Sequence, residues 1–422
     1  MSKIKINVDK LLVGMHVSEL DKPWSETSFL FQGFRITNNQ EIEQLQESCS
    51  YVYIDEEKST VDISSNLITN KSSPREKKDN KCEQLSNIQV KHKPYEEKFE
   101  SEFPVAKEIY LDSTEKMHVF FNDVRLGKSL DVLKVKSVVQ TLLASILRNP
   151  DALKLMCVME ERDKSAVTHA LHVCILSLAF ASYLGFKKDM LQQLGLAALL
   201  HDIGETKLPE GLFWKSEPFT SEEKKEVCKH SEYGFDIVKE VQGLPSVVLD
   251  VVRDHHERLN RSGFPNQAGG DEISYNTMMV SIVDVYDSVT MGYEGKKAIS
   301  CTDALKSMYD WRNELFQGEL VQHFIQCLGV YPIGSVIKLN TGEIGIVVTF
   351  DDCSRLAPRI MILLDKDHQY YPVPRMLDLS RFRDEDEKLV YEIKEVVNPD
   401  DYGIDIRHHI LQELYIGQVS NQ

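Results

Sequence analysis

The hydrophobic period changes along the chain. Residues 1–55 hold short runs of β-branched and aromatic residues (Met15-His16-Val17, Phe34-Arg35-Ile36, Tyr51-Val52-Tyr53-Ile54) and one polar helical stretch near Asn39–Glu47, which predicts a small α+β module. Across 56–101 apolar positions thin out and Lys, Glu, Ser and Asn crowd KSSPREKKDNKCEQ. So little apolar surface cannot offset chain entropy, and a flexible polar linker is expected. Over 102–160 apolar residues return at helical spacing (Val132, Val135, Val139, Leu142, Leu143, Ile146), predicting connecting helices. Helical patterns continue through 161–330 with hardly a strand signal. In 331–422, SVIKLNTGEIGIVVTF reads as a hairpin around Asn340–Gly342 and RIMILLD as another strand, a small β-rich region. The expected fold class is mainly α: a helical bundle with an N-terminal α+β module and a C-terminal β appendage.

Composition narrows the function. The 422 residues are 42% hydrophobic, enough for ordinary cores, and the net charge of −17 argues against DNA or RNA as a partner, because phosphate backbones are held by clustered Lys and Arg. The eight cysteines are scattered without a CxxC pair and are expected to be reduced thiols. The start, MSKIKINVDKLLVG, has no basic-then-apolar signal pattern, and no stretch approaches the roughly 18 apolar residues needed to cross a bilayer. A cytoplasmic protein with no membrane partner is the expectation.

The chemistry gathers in the helical stretch. His169 and His172 share a stripe with Val173, Leu176, Phe180 and Tyr183, which aims imidazoles at the core side. The apolar run MLQQLGLAALL leads into His201-Asp202, with Gly204 behind them as a helix stop. Thr220 and Glu223 form a capping box that opens a helix with the inner stripe Val227, His230, Gly234 and Val238. Val248, Val251 and Val252 lead to His255-His256-Glu257, and a later helix sets Asp284 beside Val280 and Ser288.

A lone inward histidine is more often a hydrogen-bonded core residue than a ligand. So many buried polar groups would be costly without a metal, however. His169 suits ligation better than His172. Five histidines and two aspartates exceed what one tetrahedral ion takes, so two ions (Fe, Mn or Zn) are expected, with Asp202 as a bridging carboxylate. Such a pair, roughly 3.5–4 Å apart, would present a bridging hydroxide for in-line attack on phosphorus.

THALHV (168–173), LLHDIG (199–204), KHSEYG (229–234), HHERLNRSGFP (255–265) and VDVYDS (283–288) together resemble the HD-GYP family, bacterial phosphodiesterases of the HD superfamily that linearise cyclic di-GMP. The resemblance spans about 165–305. Residues 4–55 (LLVGMHV, FLFQGFRI, YVYID) look like the domain of unknown function that often precedes such modules, and YPIGSVIKLNTGEIGIVV looks like the end of its longer members. The resemblance implies an HD-type helical bundle and places the metal ligands on His169, His201, Asp202, His230, His255, His256 and Asp284. Ser165 stands where some members have a third-ion glutamate, so two ions, Fe or Mn, are implied.

Four positions depart from the family. Glu205 replaces the HDIGK lysine that faces phosphate, with Lys207 or Lys215 available to compensate. Arg261 replaces a glycine, Phe264 keeps the ring of the GYP tyrosine without its hydroxyl, and Tyr293 falls where a phosphate-binding arginine is usual.

The expected activity is hydrolysis of cyclic di-GMP, or of 3'3'-cyclic GMP-AMP, to the linear dinucleotide. His201 and Asp202 are catalytic in this reading, and Lys207, Lys215, Arg258 and Arg261 are candidate phosphate or guanine contacts. One alternative is a module that binds a cyclic dinucleotide and signals with little turnover. Another is an HD hydrolase for a different nucleotide such as an alarmone. A homodimer and a signalling-protein partner are both left open.

Overall fold

The computed structural model describes residues 3–21, 34–56, 58–61, 95–159, 165–209, 211–213, 215, 217–292, 297–350, 357–383 and 389–410. Tyr293 and most of the expected linker lie outside the described residues. The chain forms two compact units: residues 1–88 with 306–313, and residues 89–305 with 314–422.

In the first unit, strands β1 (Lys3–Asn7), β2 (His16–Leu20), β3 (Phe34–Arg35) and β4 (Tyr51–Asp55) form an antiparallel sheet of order β1-β4-β2-β3. Period two decides its faces: Val52 and Ile54 on β4 are buried, whereas Tyr51 and Tyr53, which alternate with them, are only partly so. Helix α1 (Asn39–Ser48) starts where the Asn38 side chain accepts from Glu41 N. Residues 306–313 belong to this unit through Arg312, which is fully buried. Its Nε donates to Glu41 Oε1 at 3.1 Å, its Nη2 reaches the same carboxylate, and its guanidinium lies 3.6 Å from the centre of the Tyr309 ring.

The second unit is a helical body with a β-sheet on its flank. Its helices are α2 (Phe99–Arg125), α3 (Val132–Arg148), α4 (Pro150–Met159), α5 (Ala166–Tyr183), α6 (Lys188–Leu200), α7 (Ser221–Cys228), α8 (His230–Lys239), α9 (Ser246–Asp254), α10 (Tyr275–Met291), the first turns of α11 (Cys301–Asp310), and α12 (Gly318–Leu328). Helix α2 begins at Phe99, just inside the stretch expected to be linker. It is clamped to α3 by buried Glu102, which accepts from Ser145 Oγ and Arg148 Nε, both at 2.6 Å.

Helix α5 is the axle of this body, apolar on nearly every face. It corrects the membrane reading of the sequence: among the described residues α5 alone is long and apolar enough to cross a bilayer, yet 83% of it is buried inside the body, as a core helix would be.

The sheet, of order β8-β7-β6-β5-β9, comprises β5 (Val336–Leu339), β6 (Ile344–Thr349), β7 (Arg359–Leu364), β8 (Tyr370–Asp378) and β9 (Ile393–Val396). The hairpin falls between β5 and β6 as its Asn340–Gly342 signature predicts. Buried Asp151 on α4 ties the sheet to the helices, accepting from Thr349 Oγ1 at 2.8 Å and Phe350 N at 2.9 Å while paired with Lys154 at 2.5 Å.

Candidate metal centre

Five chain segments deliver the ionisable groups. Ser165 caps α5, its hydroxyl accepting from Thr168 N, and His169 follows on the first turn. Helix α6 ends at Leu200, so His201 and Asp202 emerge together before a short 3-10 turn, Ile203–Lys207. The capping box at Thr220 and Glu223 forms as predicted, but the helix it opens breaks at Lys229, and His230 starts α8 instead of continuing one long helix. His255 closes α9, His256 follows it, and Asp284 sits midway along α10.

Gly204 is not the helix stop expected of it. A Cβ there would lie 1.8 Å from His230 O and 2.5 Å from Gly234 N, so the bare backbone is what lets α8 cross the Asp202 turn closely enough to bring His230 in.

The seven groups fall into two sets whose ligand atoms lie within 4.8 Å of one another: Asp202, His230, His255 and His256, and His169, His201 and Asp284. Nδ1 of His201, His230 and His255 donates to the carbonyls of Ala198 (2.8 Å), Val227 (2.7 Å) and Val251 (3.0 Å). A carbonyl only accepts, so the proton of each neutral ring is on Nδ1 and Nε2 offers a lone pair. These lone pairs converge: His230 Nε2 is 3.3 Å from His255 Nε2 and 3.1 Å from His256 Nε2.

Asp202 reaches both sets. Its Oδ1 is 3.2 Å from Nε2 of His230 and of His255, and its Oδ2 is 3.0 Å from His201 Nε2 and 3.6 Å from His169 Nε2. Neither His201 Nε2 nor Asp202 Oδ1 completes a well-formed hydrogen bond, although both are buried. Facing nitrogen lone pairs around an unsatisfied carboxylate are a costly arrangement for protein alone and a fitting one for divalent cations.

Protons compete with cations for these nitrogens. Burial works against a charged Asp202, but the positive charge that His201 takes up, with His230 and His255 beside it, outweighs burial and holds the Asp202 pKa well below the usual carboxylate range. Against its own burial, His201 is raised above the ordinary histidine value by Asp202. Burial, reinforced by His255 and His230, pushes His256 well below the ordinary histidine value, so it stays a neutral donor. Burial also opposes protonation of His169, yet Asp284 and Asp287 together raise its pKa well above normal, so a cation arriving at its Nε2 displaces a proton.

The loop after His256 is shaped by its own side chains. A Cβ on Gly263 would meet His256 O at 2.3 Å. Phe264 stacks on the His256 ring at 4.5 Å between centroids, a contact that needs the ring and not a hydroxyl. Buried Glu257 accepts from Asn266 N at 2.6 Å.

The four expected substrate contacts are placed differently from one another. Lys207 is exposed at the end of the 3-10 turn. Lys215 pairs with Glu223 at 2.5 Å. Arg258 turns inward, donating to the carbonyls of His255 (3.0 Å) and Glu257 (2.9 Å) beneath the Phe316 ring. Arg261, at φ +64°, pairs with Glu272 at 2.7 Å. Glu205 is buried in the 3-10 turn that follows Asp202, its backbone N–H donating to Asp202 O at 2.9 Å.

His172 lies outside both donor sets and bonds Asp287 instead. Asp287 escaped the reading of the sequence, although its position one turn after Asp284 puts both carboxylates on one face of α10.

Residues 153–320 match the family model of the HD domain, and residues 3–135 match a domain of unknown function, DUF3391. Over 399 residues the chain is 28% identical to a cyclic di-GMP phosphodiesterase of Pseudomonas aeruginosa, covering 93% of each chain. Over 132 residues it is 27% identical to a 3'3'-cGAMP-specific phosphodiesterase of Vibrio cholerae, covering 31% of this chain and 25% of that one. Among solved structures an HDGYP protein from Bdellovibrio bacteriovorus aligns with a TM-score of 0.46 at 20% identity, covering 78% of this chain and 99% of the other.

Proposed function

We propose that this chain, which carries an HD domain with a DUF3391 domain ahead of it, is a metal-dependent phosphodiesterase of the HD-GYP type opening a cyclic dinucleotide, cyclic di-GMP or 3'3'-cyclic GMP-AMP, to the linear form. The observation that carries the reading is the pair of donor sets sharing Asp202, with imidazole lone pairs turned inward by backbone hydrogen bonds. His169, His201 and Asp284 would hold one ion, and His230, His255 and His256 the other, with Asp202 common to both. When bound, two divalent cations, iron or manganese, supply a water nucleophile ionised near neutral pH and neutralise phosphate oxygens.

The protein's own contribution is orientation. Carbonyls fix three rings, Phe264 braces His256, and Arg258 ties down the loop that carries His255 and His256. Lys207, exposed at the end of the 3-10 turn that follows Asp202, is one proposed phosphate contact. Lys215 and Arg261 would have to leave Glu223 and Glu272 to serve as such. The test is incubation of iron- or manganese-loaded protein with each cyclic dinucleotide and separation of products. Linear dinucleotide supports the enzyme. Tight binding without product supports the second reading, a receptor, which Glu205 in place of the phosphate-facing lysine favours.

A further inference from the structure

Four of the rings that reach the centre are anchored through Nδ1, and in two chemically different ways. His201, His230 and His255 give Nδ1–H to neutral carbonyls of their own segments, whereas His169 gives its Nδ1–H to a carboxylate, Asp287 Oδ2, at 2.7 Å. Asp287 is itself held from behind. Its Oδ1 accepts from His172 Nδ1 at 3.1 Å, and a ring protonated there presents a bare Nε2 that accepts the Tyr110 hydroxyl hydrogen at 2.9 Å. Tyr110, His172, Asp287 and His169 are all buried, so water does not compete for these bonds. Tyr110 lies on α2, upstream of the residues that match the HD domain, and α2 is fastened to α3 through Glu102.

A carboxylate behind an imidazole carries a full negative charge where a carbonyl offers only a dipole, which fixes the ring and makes its far nitrogen the stronger donor to a cation. We propose that Tyr110, His172 and Asp287 are positioning residues that act through His169, making His169–His201–Asp284 the tighter of the two cation sites, and that the metal centre is completed by a residue from outside the HD domain. The inference rests on the metal-centre reading above. It assigns the two sites unequal affinity and gives α2 a direct line to one of them.

The test is titration of the metal-free full chain with Mn2+, following free Mn2+ by electron paramagnetic resonance and fold by thermal melting. Wild type should bind in two distinguishable steps. Asp287→Asn should weaken the tighter step by about 10–100-fold and leave the weaker one in place. Tyr110→Phe keeps the ring and loses one hydrogen bond, so it should weaken the same step by about two- to tenfold; it carries the test if Asp287→Asn does not fold. Variants that titrate like wild type, or that lose both steps together, overturn the relay. Absence of any Mn2+ uptake by wild type overturns the metal-centre reading and this inference with it.

Discussion

Asp202→Ala removes the one carboxylate whose two oxygens reach both donor sets, at 3.2 Å from His230 and His255 and 3.0 Å from His201. Removing one member of a buried, mutually compensating set of charges costs about 3–5 kcal/mol. Where the partners left without Asp202 are bound cations, a loss of that order falls on binding and is about two to three and a half powers of ten in cation affinity. Because the carboxylate is common to both sets, both sites should fall together. The scaffold should survive, since it is the Asp202 carbonyl and not its side chain that receives Glu205 N, and Asp202 caps no helix through its carboxylate. The assay is elemental analysis of reconstituted, desalted protein alongside product separation, with far-ultraviolet circular dichroism as the control. Unchanged helix content with no retained metal and no linear product is expected. A variant that keeps full metal and full rate would show that Asp202 is not the shared ligand.

Four further outcomes are expected. Gly204→Ala drives a methyl into the His230 carbonyl, so it should cost about 3 kcal/mol or more in a denaturant titration and lower metal content with it. Arg312→Ala strands Glu41 in the first unit and should destabilise that unit by about 3–5 kcal/mol, read as an early unfolding step absent from wild type. For Asp287, burial pushes the carboxyl up but His172 and His169 outweigh it and bring it down from 3.8 to about 2. A pKa depressed on folding stabilises above the unfolded value, so this contribution, about 2 kcal/mol, is present above pH 4 and lost as pH falls through about 2; acid unfolding of Asp287→Asn should lack it. Glu205→Lys should raise kcat/KM on cyclic di-GMP by about tenfold by replacing a phosphate-repelling carboxylate with a cation, and an unchanged or lower value refutes this.

Much of the centre was legible in local pattern. The stripe through His169, the apolar run that ends at His201-Asp202, the capping box at Thr220 and the hairpin at Asn340–Gly342 are each written within a few turns of chain, because period and capping depend only on near neighbours. The order of His, His-Asp, His, His-His and Asp then named the residues that converge.

What tertiary structure alone decided is how distant segments meet. Asp287 bonds a histidine 118 positions away, Tyr110 bonds one 62 away, and Arg312 reaches Glu41 across 271, and no periodicity ties such partners together. β8 and β9 form because neighbouring strands receive them, while their own residues are largely exposed and carry no clear alternation. Gly204 reads as a stop in one dimension and proves to be a crossing point in three, since only the approach of His230 O shows what its missing side chain is for. Arg258 and Arg261 are alike in sequence as candidate substrate contacts, whereas the fold turns one inward and pairs the other. Short-range order is a property of the chain's own spacing, whereas a long-range contact depends on how every intervening element packs.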